Sequence, residues 1–236
     1  MRLTTGPGLP MARWMVCCRM NVEHDGLQGL GALMPPQAWH ATLVNGSPRQ
    51  YATGEILVRQ GDEGRFVLAL THGLVKVTRL EPDGHELVLA VRGRGELIGD
   101  LSYLDHRRRS ATITALSPCV AYILPDARFR KIVSDFTLGD LVFCHVIARL
   151  RESEEIRAEL TGLPARRRLA RSLLRLSPGG CCVLTQSDLA TTAGMSRSAV
   201  ASELAWLRRH TLVRTGRRRI WIADALGLAA IADGLA

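Results

Sequence analysis

Two regimes of hydrophobic patterning divide the chain. Between Gly54 and Leu124, apolar residues come in short runs that alternate with polar positions or fill four to six places, broken by Gly and Pro. From about Thr137 onward they recur every three or four residues, the helical period. Ahead of both, Met34 to Asn45 reads as a short helix that Pro35-Pro36 can start and on which Trp39, Leu43 and Val44 share a face. The first regime predicts strands at Gly54–Asp62, Phe66–Leu70, Leu74–Leu80, Glu86–Val91 and Cys119–Leu124, with Glu81-Pro82-Asp83-Gly84 as a turn. Short strands at this spacing point to a barrel or roll, which a short helix from Asp126 to Val133 follows. The second regime predicts one long helix from about Thr137 to Thr161. One of its rows is Leu141, His145, Ala148 and Glu152; Val142, Val146, Leu150 and Ser153 lie beside it, then Ile156 and Leu160. Such a stripe suits pairing with a twin helix, or packing within its own chain. Arg151 and Glu155 stand at ion-pair spacing on it.

Between the last strands lies Gly95-Glu96-Leu97-Ile98-Gly99-Asp100-Leu101-Ser102-Tyr103-Leu104-Asp105-His106-Arg107-Arg108-Arg109-Ser110-Ala111, which opens the alternating run Thr112–Leu116. Glycine lets backbone N–H groups approach an anion, and a short helix starting near Gly99 would aim its first N–H groups at a phosphate. Arg109 can grip phosphate oxygens, Ser110 can add a hydroxyl, and Asp100 can accept from a sugar hydroxyl.

After Thr161-Gly162-Leu163-Pro164, which breaks the long helix, Ala165–Leu176 forms a helix. Its leucines face inward and Arg166, Arg167, Arg168, Arg171 and Arg175 face outward. Thr185–Leu207 then carries a helix-turn-helix signature. Thr185 caps the first helix with Asp188 at the capping-box position, Gly194 supplies the turn, and Ser196 caps the second helix. Val200, Leu204 and Leu207 form the buried side of that helix. Arg197, Ser198, Ala201 and Ser202 face out near its N-terminus, the end that enters a major groove, where Arg197 can bond guanine O6 and N7. Leu212–Ile222 reads as a hairpin wing with Arg217 and Arg218 at its tip beside phosphates, or as a solvated turn, and a short helix can end the chain from Asp224. The candidate DNA contacts are Thr185, Ser187, Ser196, Arg197, Ser198, Ser202, Arg217 and Arg218.

These motifs resemble the cyclic-AMP receptor protein / fumarate-nitrate regulator family of bacterial transcription factors, from roughly Leu43 to Asp224. The resemblance implies an α+β chain: an N-terminal cyclic-nucleotide-binding-type β-roll, a long dimerisation helix and a C-terminal winged helix-turn-helix. The corresponding division is a disordered extension over 1–33, the roll over 34–133, the dimerisation helix and hinge over 134–162 and the DNA-binding domain over 163–236. It also implies a homodimer in the cytoplasm that binds double-stranded DNA, works with RNA polymerase and takes a cyclic nucleotide, cyclic AMP first, in the roll. The ligand set it implies is Gly99, Asp100, Leu101, Arg109, Ser110, Ala111, Arg149 and Ser153. Within that set Arg149 meets the cassette carboxylate Asp100, and Ser153 stands near the base. Cyclic-AMP binders usually have Glu where this chain has Asp100, a polar residue at Ala90, and Ser at Glu154. The alternative is therefore the same regulator with a pocket that is empty or answers another signal. Ser198 and Ser202 replace the Glu and the second Arg of well-known members, so the usual half-site is not expected.

Composition narrows the classes. The net charge is +9 over 236 residues. Residues 163–236 hold 12 arginines, no lysine and four acidic residues, a net +8, against +1 for the first 162. A neutral front and basic back suggest that the back meets a polyanion. The six cysteines, Cys17, Cys18, Cys119, Cys144, Cys181 and Cys182, match no zinc or iron–sulfur spacing and read as reduced thiols. No apolar run reaches membrane-spanning length, and no nucleophile–base set or P-loop appears, so neither a membrane protein nor an enzyme is expected.

Overall fold

The computed structural model describes residues 27–235. The part of the expected disordered extension that falls inside this range is ordered. Leu30 is fully buried in α1 (Gly29–Leu33), and the segment is pinned to the roll by Gln28 N–H to Arg94 O and Gly31 N–H to Gly95 O. Residues 1–26, with Cys17 and Cys18, lie outside the described range.

Helix α2 (Pro36–Val44) leads into eight antiparallel strands: β1 (Ser47–Tyr51), β2 (Ile56–Val58), β3 (Phe66–His72), β4 (Val75–Leu80), β5 (Glu86–Arg92), β6 (Leu97–Ile98), and, after the short α3 (Asp100–Asp105), β7 (Thr112–Ala115) and β8 (Cys119–Pro125). They form two four-stranded sheets, ordered β1-β8-β3-β6 and β2-β7-β4-β5. Leu68 and Leu70 of β3 face the core between the sheets, with Leu57, Val75, Ile113 and Ala121. Val67 and Ala69 face the other way, into a second core with Leu30, Trp39, Phe129 of α4 (Asp126–Asp135), and Val142. Burial on both faces is why this strand reads as an unbroken apolar run.

Helix α5 (Gly139–Gly162) crosses the roll. The Leu163–Pro164 break joins it to α6 (Ala165–Leu176), followed by β9 (Cys181–Cys182), α7 (Gln186–Ala193), α8 (Arg197–Arg209), the hairpin β10 (Val213–Gly216) and β11 (Arg219–Ile222), and α9 (Ala225–Asp233). Strand β9 pairs with β11, making a three-stranded sheet beside the helices. No helix among the described residues is long and apolar enough to cross a membrane.

The C-terminal domain rests on the roll. Val88 and Val91 of β5 join the core built on Leu173, Leu189, Val200 and Leu228. Thr192 Oγ1 donates to Val88 O at 3.3 Å, and Lys76 Nζ lies 3.0 Å from Asp188 Oδ1 and 3.2 Å from Glu86 Oε1. Burial pushes the Asp188 carboxyl up, but bonds from Thr185 and Lys76 outweigh it and hold it below the ordinary carboxylate range. One carboxylate thus caps the first DNA-side helix and ties it to the roll.

Candidate functional site

The cassette folds around Gly99, which stands at φ +96° as the residue before α3. An added Cβ there would come within 2.1 Å of Arg109 Nη1, so the glycine gives the arginine its seat. Arg109 is only 5% exposed. It donates to Ser102 Oγ at 2.7 Å, Gly99 O at 3.4 Å and Phe66 O, and its guanidinium lies 4.8 Å from the Phe66 ring centre. Its Nε has no partner, and it makes no ion pair among the described residues. Burial pulls its pKa down, against the opposing field of Asp100, Asp62 and Asp126. A buried cation without a contacting anion is costly, and an anion against it would remove that cost.

Beside it lies a charged cluster under α5. Arg149 donates to Asp100 Oδ2 at 2.7 Å through Nη1 and to Glu96 Oε2 at 2.6 Å through Nη2. Burial works against its charge, but the two carboxylates outweigh burial and hold it above the ordinary range. Arg92 of β5 donates to Glu152 at 3.1 Å and lies 3.9 Å from Glu96. His145 Nε2 is buried 3.8 Å from Asp100 Oδ2 and makes no hydrogen bond. Burial, and then Arg149, keep this imidazole below its ordinary pKa.

Of the residues expected around a ligand, Gly99, Asp100, Arg109 and Arg149 come together, with Ala111 buried where the cassette enters β7. Ser110 lies exposed at the strand entrance, and Leu101 is 43% exposed. Ser153 is on the open side of α5 with its hydroxyl donating to Leu150 O at 2.7 Å. The sequence reading gave no ligand role to Glu96 or Arg92, and placed His145 and Glu152 only in a row of the long helix. A usable signal was present: His145, Arg149 and Glu152 repeat at four and three residues.

The helix-turn-helix stands as its capping pattern implied. Thr185 Oγ1 accepts from Asp188 N–H at 3.1 Å and Asp188 Oδ2 accepts from Thr185 N–H at 3.0 Å. Gly194 takes φ +59°, and Ser196 Oγ accepts from Ala199 N–H at 3.1 Å. Ser187, Arg197, Ser198, Ala201 and Ser202 are exposed, while Val200, Leu204 and Leu207 are buried. Arg217 and Arg218 form the exposed two-residue tip between β10 and β11. Gln186, Arg208 and Thr215, unassigned from sequence, line one cleft with Ala201 and Ala205 of α8.

The arginines of α6 depart from expectation. Arg166 pairs with Glu203 at 2.7 Å. Arg167 donates to Ala232 O and Asp233 O, at the C-terminal end of α9. Arg168 donates to Leu160 O and Gly194 O, and Arg171 and Arg175 both reach Glu159 of α5. These five hold helices together. The seven on α8 and the wing, Arg197, Arg208, Arg209, Arg214, Arg217, Arg218 and Arg219, are exposed and make no ion pair among the described residues. Positive charge therefore gathers on the reading helix and the wing beside it, as a duplex requires.

A β-roll joined by a long helix to a winged helix-turn-helix defines a class of DNA-binding transcriptional regulators. Residues 48–136 match the cyclic nucleotide-binding domain and residues 167–231 the Crp-like helix-turn-helix domain. The cyclic AMP receptor protein of Thermus thermophilus is 31% identical over 192 residues, covering 80% of this chain and 89% of that protein. A CRP-like cAMP-activated global transcriptional regulator of Mycobacterium tuberculosis is 27% identical over 205 residues, covering 82% and 92%. A CRP-family transcriptional regulator of solved structure, also from Thermus thermophilus, superposes with a TM-score of 0.65 at 25% identity, covering 78% of this chain and 96% of that one. The chain belongs to the Crp/Fnr family of transcriptional regulators.

Proposed function

We propose that this regulator is a cytoplasmic homodimer that reads a twofold DNA site through α8 and recruits or blocks RNA polymerase there, under control of a cyclic nucleotide held by the cassette. The observation that carries the ligand half is Arg109: a buried cation with an unpartnered Nε, behind a glycine whose missing side chain makes its space. The relatives named for cyclic AMP favour that nucleotide as effector. Calorimetry with cyclic AMP and cyclic GMP tests it. Heat from one nucleotide, lost in Arg109→Ala, is the expected result; no heat from either removes cyclic-nucleotide control. That outcome would leave the second reading, a regulator whose roll answers no cyclic nucleotide. It is favoured by Ser153 bonding its own helix instead of facing a base.

The DNA half rests on the exposed Arg197, Ser198 and Ser202 at the start of α8. Arg197→Ala is expected to cost about 1–3 kcal/mol at the preferred site and to relax its sequence preference. Arg208→Ala, in the cleft with Gln186 and Thr215, should weaken all sequences alike and lower the salt slope by about one. Gel shifts at matched salt on selected and scrambled duplexes separate the two. An unchanged preference in Arg197→Ala would defeat the assignment.

A further inference from the structure

Helix α5 turns Val142, His145 and Arg149 toward the roll, and leaves Phe143 and Leu150 outside, 61% and 53% exposed. The His145 side chain is almost closed to solvent, yet its Nε2 bonds nothing. A buried polar atom without a partner costs stability, and an apolar side chain at this place would avoid that cost. The charged groups around it all have partners: Arg149 meets Asp100 and Glu96, and Arg92 meets Glu152.

His145 and Arg149 sit one turn apart on α5 and reach the same acid. Arg149 Nη1 meets Asp100 Oδ2 at 2.7 Å, while His145 Nε2 stops 3.8 Å from it. That second distance is too long for a hydrogen bond and suits a third atom, since an oxygen beside the gap stands about 2.8 Å from both ends. Such an oxygen accepts from the imidazole N–H and donates to the carboxylate, which is the bonding pattern of a hydroxyl. Arg109 marks where an anion docks, and Asp100 directly follows the glycine that seats it, near enough for its charge to act on the guanidinium. We propose that His145 is a ligand-binding residue, whose Nε2–H donates to the 2′-hydroxyl of the bound cyclic nucleotide while that hydroxyl donates to Asp100. This rests on the cyclic-nucleotide reading above and names the residue that recognises the ribose from the α5 side.

The chemistry of the ligand agrees. In a 3′,5′-cyclic nucleotide the other two ribose oxygens outside the ring are tied to phosphate, so the 2′-hydroxyl is the sugar's free donor. Aspartate suits the arrangement too: it is one methylene shorter than glutamate and leaves the 3.8 Å gap that the hydroxyl fills. The neighbouring carboxylate favours the tautomer with its proton on Nε2, the donor that the hydroxyl needs. Because His145 belongs to α5, the same bond fastens to the ligand the helix that leads into the C-terminal domain.

The test is calorimetry on the full chain with cyclic AMP and cyclic GMP, each compared with its 2′-deoxy form. For whichever nucleotide binds wild type, His145→Leu should weaken binding at least about fivefold. The same variant should bind the 2′-deoxy form within about twofold of wild type, because the bond it lacks is already gone from that ligand. His145→Gln, which keeps an N–H near Nε2, should recover most of the loss. Both ligand-free variants should melt no lower than wild type, since the free imidazole holds no hydrogen bond that would be lost. A signature in the wild-type chain is independent of binding by either variant. With isotope-labelled histidine, the imidazole resonance missing from His145→Gln should move with the nucleotide and stay in place with its 2′-deoxy form. Equal losses for both forms of the ligand, or a resonance that moves alike with both, would overturn the role of His145 and leave the cyclic-nucleotide reading standing. No binding of either nucleotide to wild type would overturn that reading, and this inference with it.

Discussion

Replacing Arg149 with alanine is expected to cost about 3–5 kcal/mol of stability at neutral pH, because it removes the cation from between two buried carboxylates. Asp100 is 3% and Glu96 6% exposed, and each takes one side of the Arg149 guanidinium. The remaining groups facing the gap are His145 and Arg92, at 3.8 Å from Asp100 and 3.9 Å from Glu96. That makes the loss dependent on pH. In the wild type, burial and Arg149 hold the His145 imidazole neutral below its ordinary range. The unfolded chain takes up a proton there that the folded chain refuses, so this residue's contribution falls as the pH drops below about 6.5. In Arg149→Ala the repelling cation is gone, Asp100 loses its ion-pair partner, and Glu96 keeps only the longer contact with Arg92. His145 then gains affinity for a proton in the folded state, and its contribution grows as the pH falls. The variant's deficit, read from urea unfolding, should therefore be largest near pH 8 and smaller at pH 5.5. A deficit under about 1 kcal/mol, or one equal at both values, would show that the cluster is not held together by this guanidinium.

What the sequence disclosed, and what it hid, follows from the range of the interactions. The helix-turn-helix was legible because its determinants are local: Thr185 and Asp188 three residues apart, Gly194 at a left-handed φ, Ser196 three before Ala199. The cassette glycine and Arg109 were legible for a similar reason, lying ten residues apart in one motif. Strand β1 was not, because Ser47–Gln50 are exposed and carry no alternation, and its pairing partner β8 lies some seventy residues on. The α6 arginines were correctly set opposite the leucines of that helix, yet a guanidinium reaches far enough to find acceptors on other elements. Arg167 caps α9 from 65 residues away, and Arg175 crosses the hinge to Glu159. Which face of α5 docks on its own chain could not be picked from periodicity, since both faces repeat at the same interval. Only the docking of Val142, His145 and Arg149 on the roll decides which is left outside. The basic excess of residues 163–236 was read only as a sign that this part meets a polyanion, and the structure divides it into five arginines that fasten helices and seven that stand open.

Gly99→Ala is the second change with a large expected effect, and it tests whether the cassette is built around Arg109. Alanine at φ +96° costs about 1–3 kcal/mol in backbone strain. The new methyl would also lie 2.1 Å from Arg109 Nη1. The arginine cannot swing aside cheaply, because Ser102 Oγ, Gly99 O and Phe66 O hold its guanidinium in a site that is almost closed to solvent. Crowding of that kind adds about 1–3 kcal/mol. The two parts can be told apart with Gly99→Ala combined with Arg109→Ala. Removing the guanidinium abolishes the clash and the buried cation, and leaves only the strain. The double variant should therefore unfold at higher urea than Gly99→Ala alone, a coupling that independent sites would not show. Strictly additive losses would mean that Gly99 serves the α3 turn and has no part in seating the arginine.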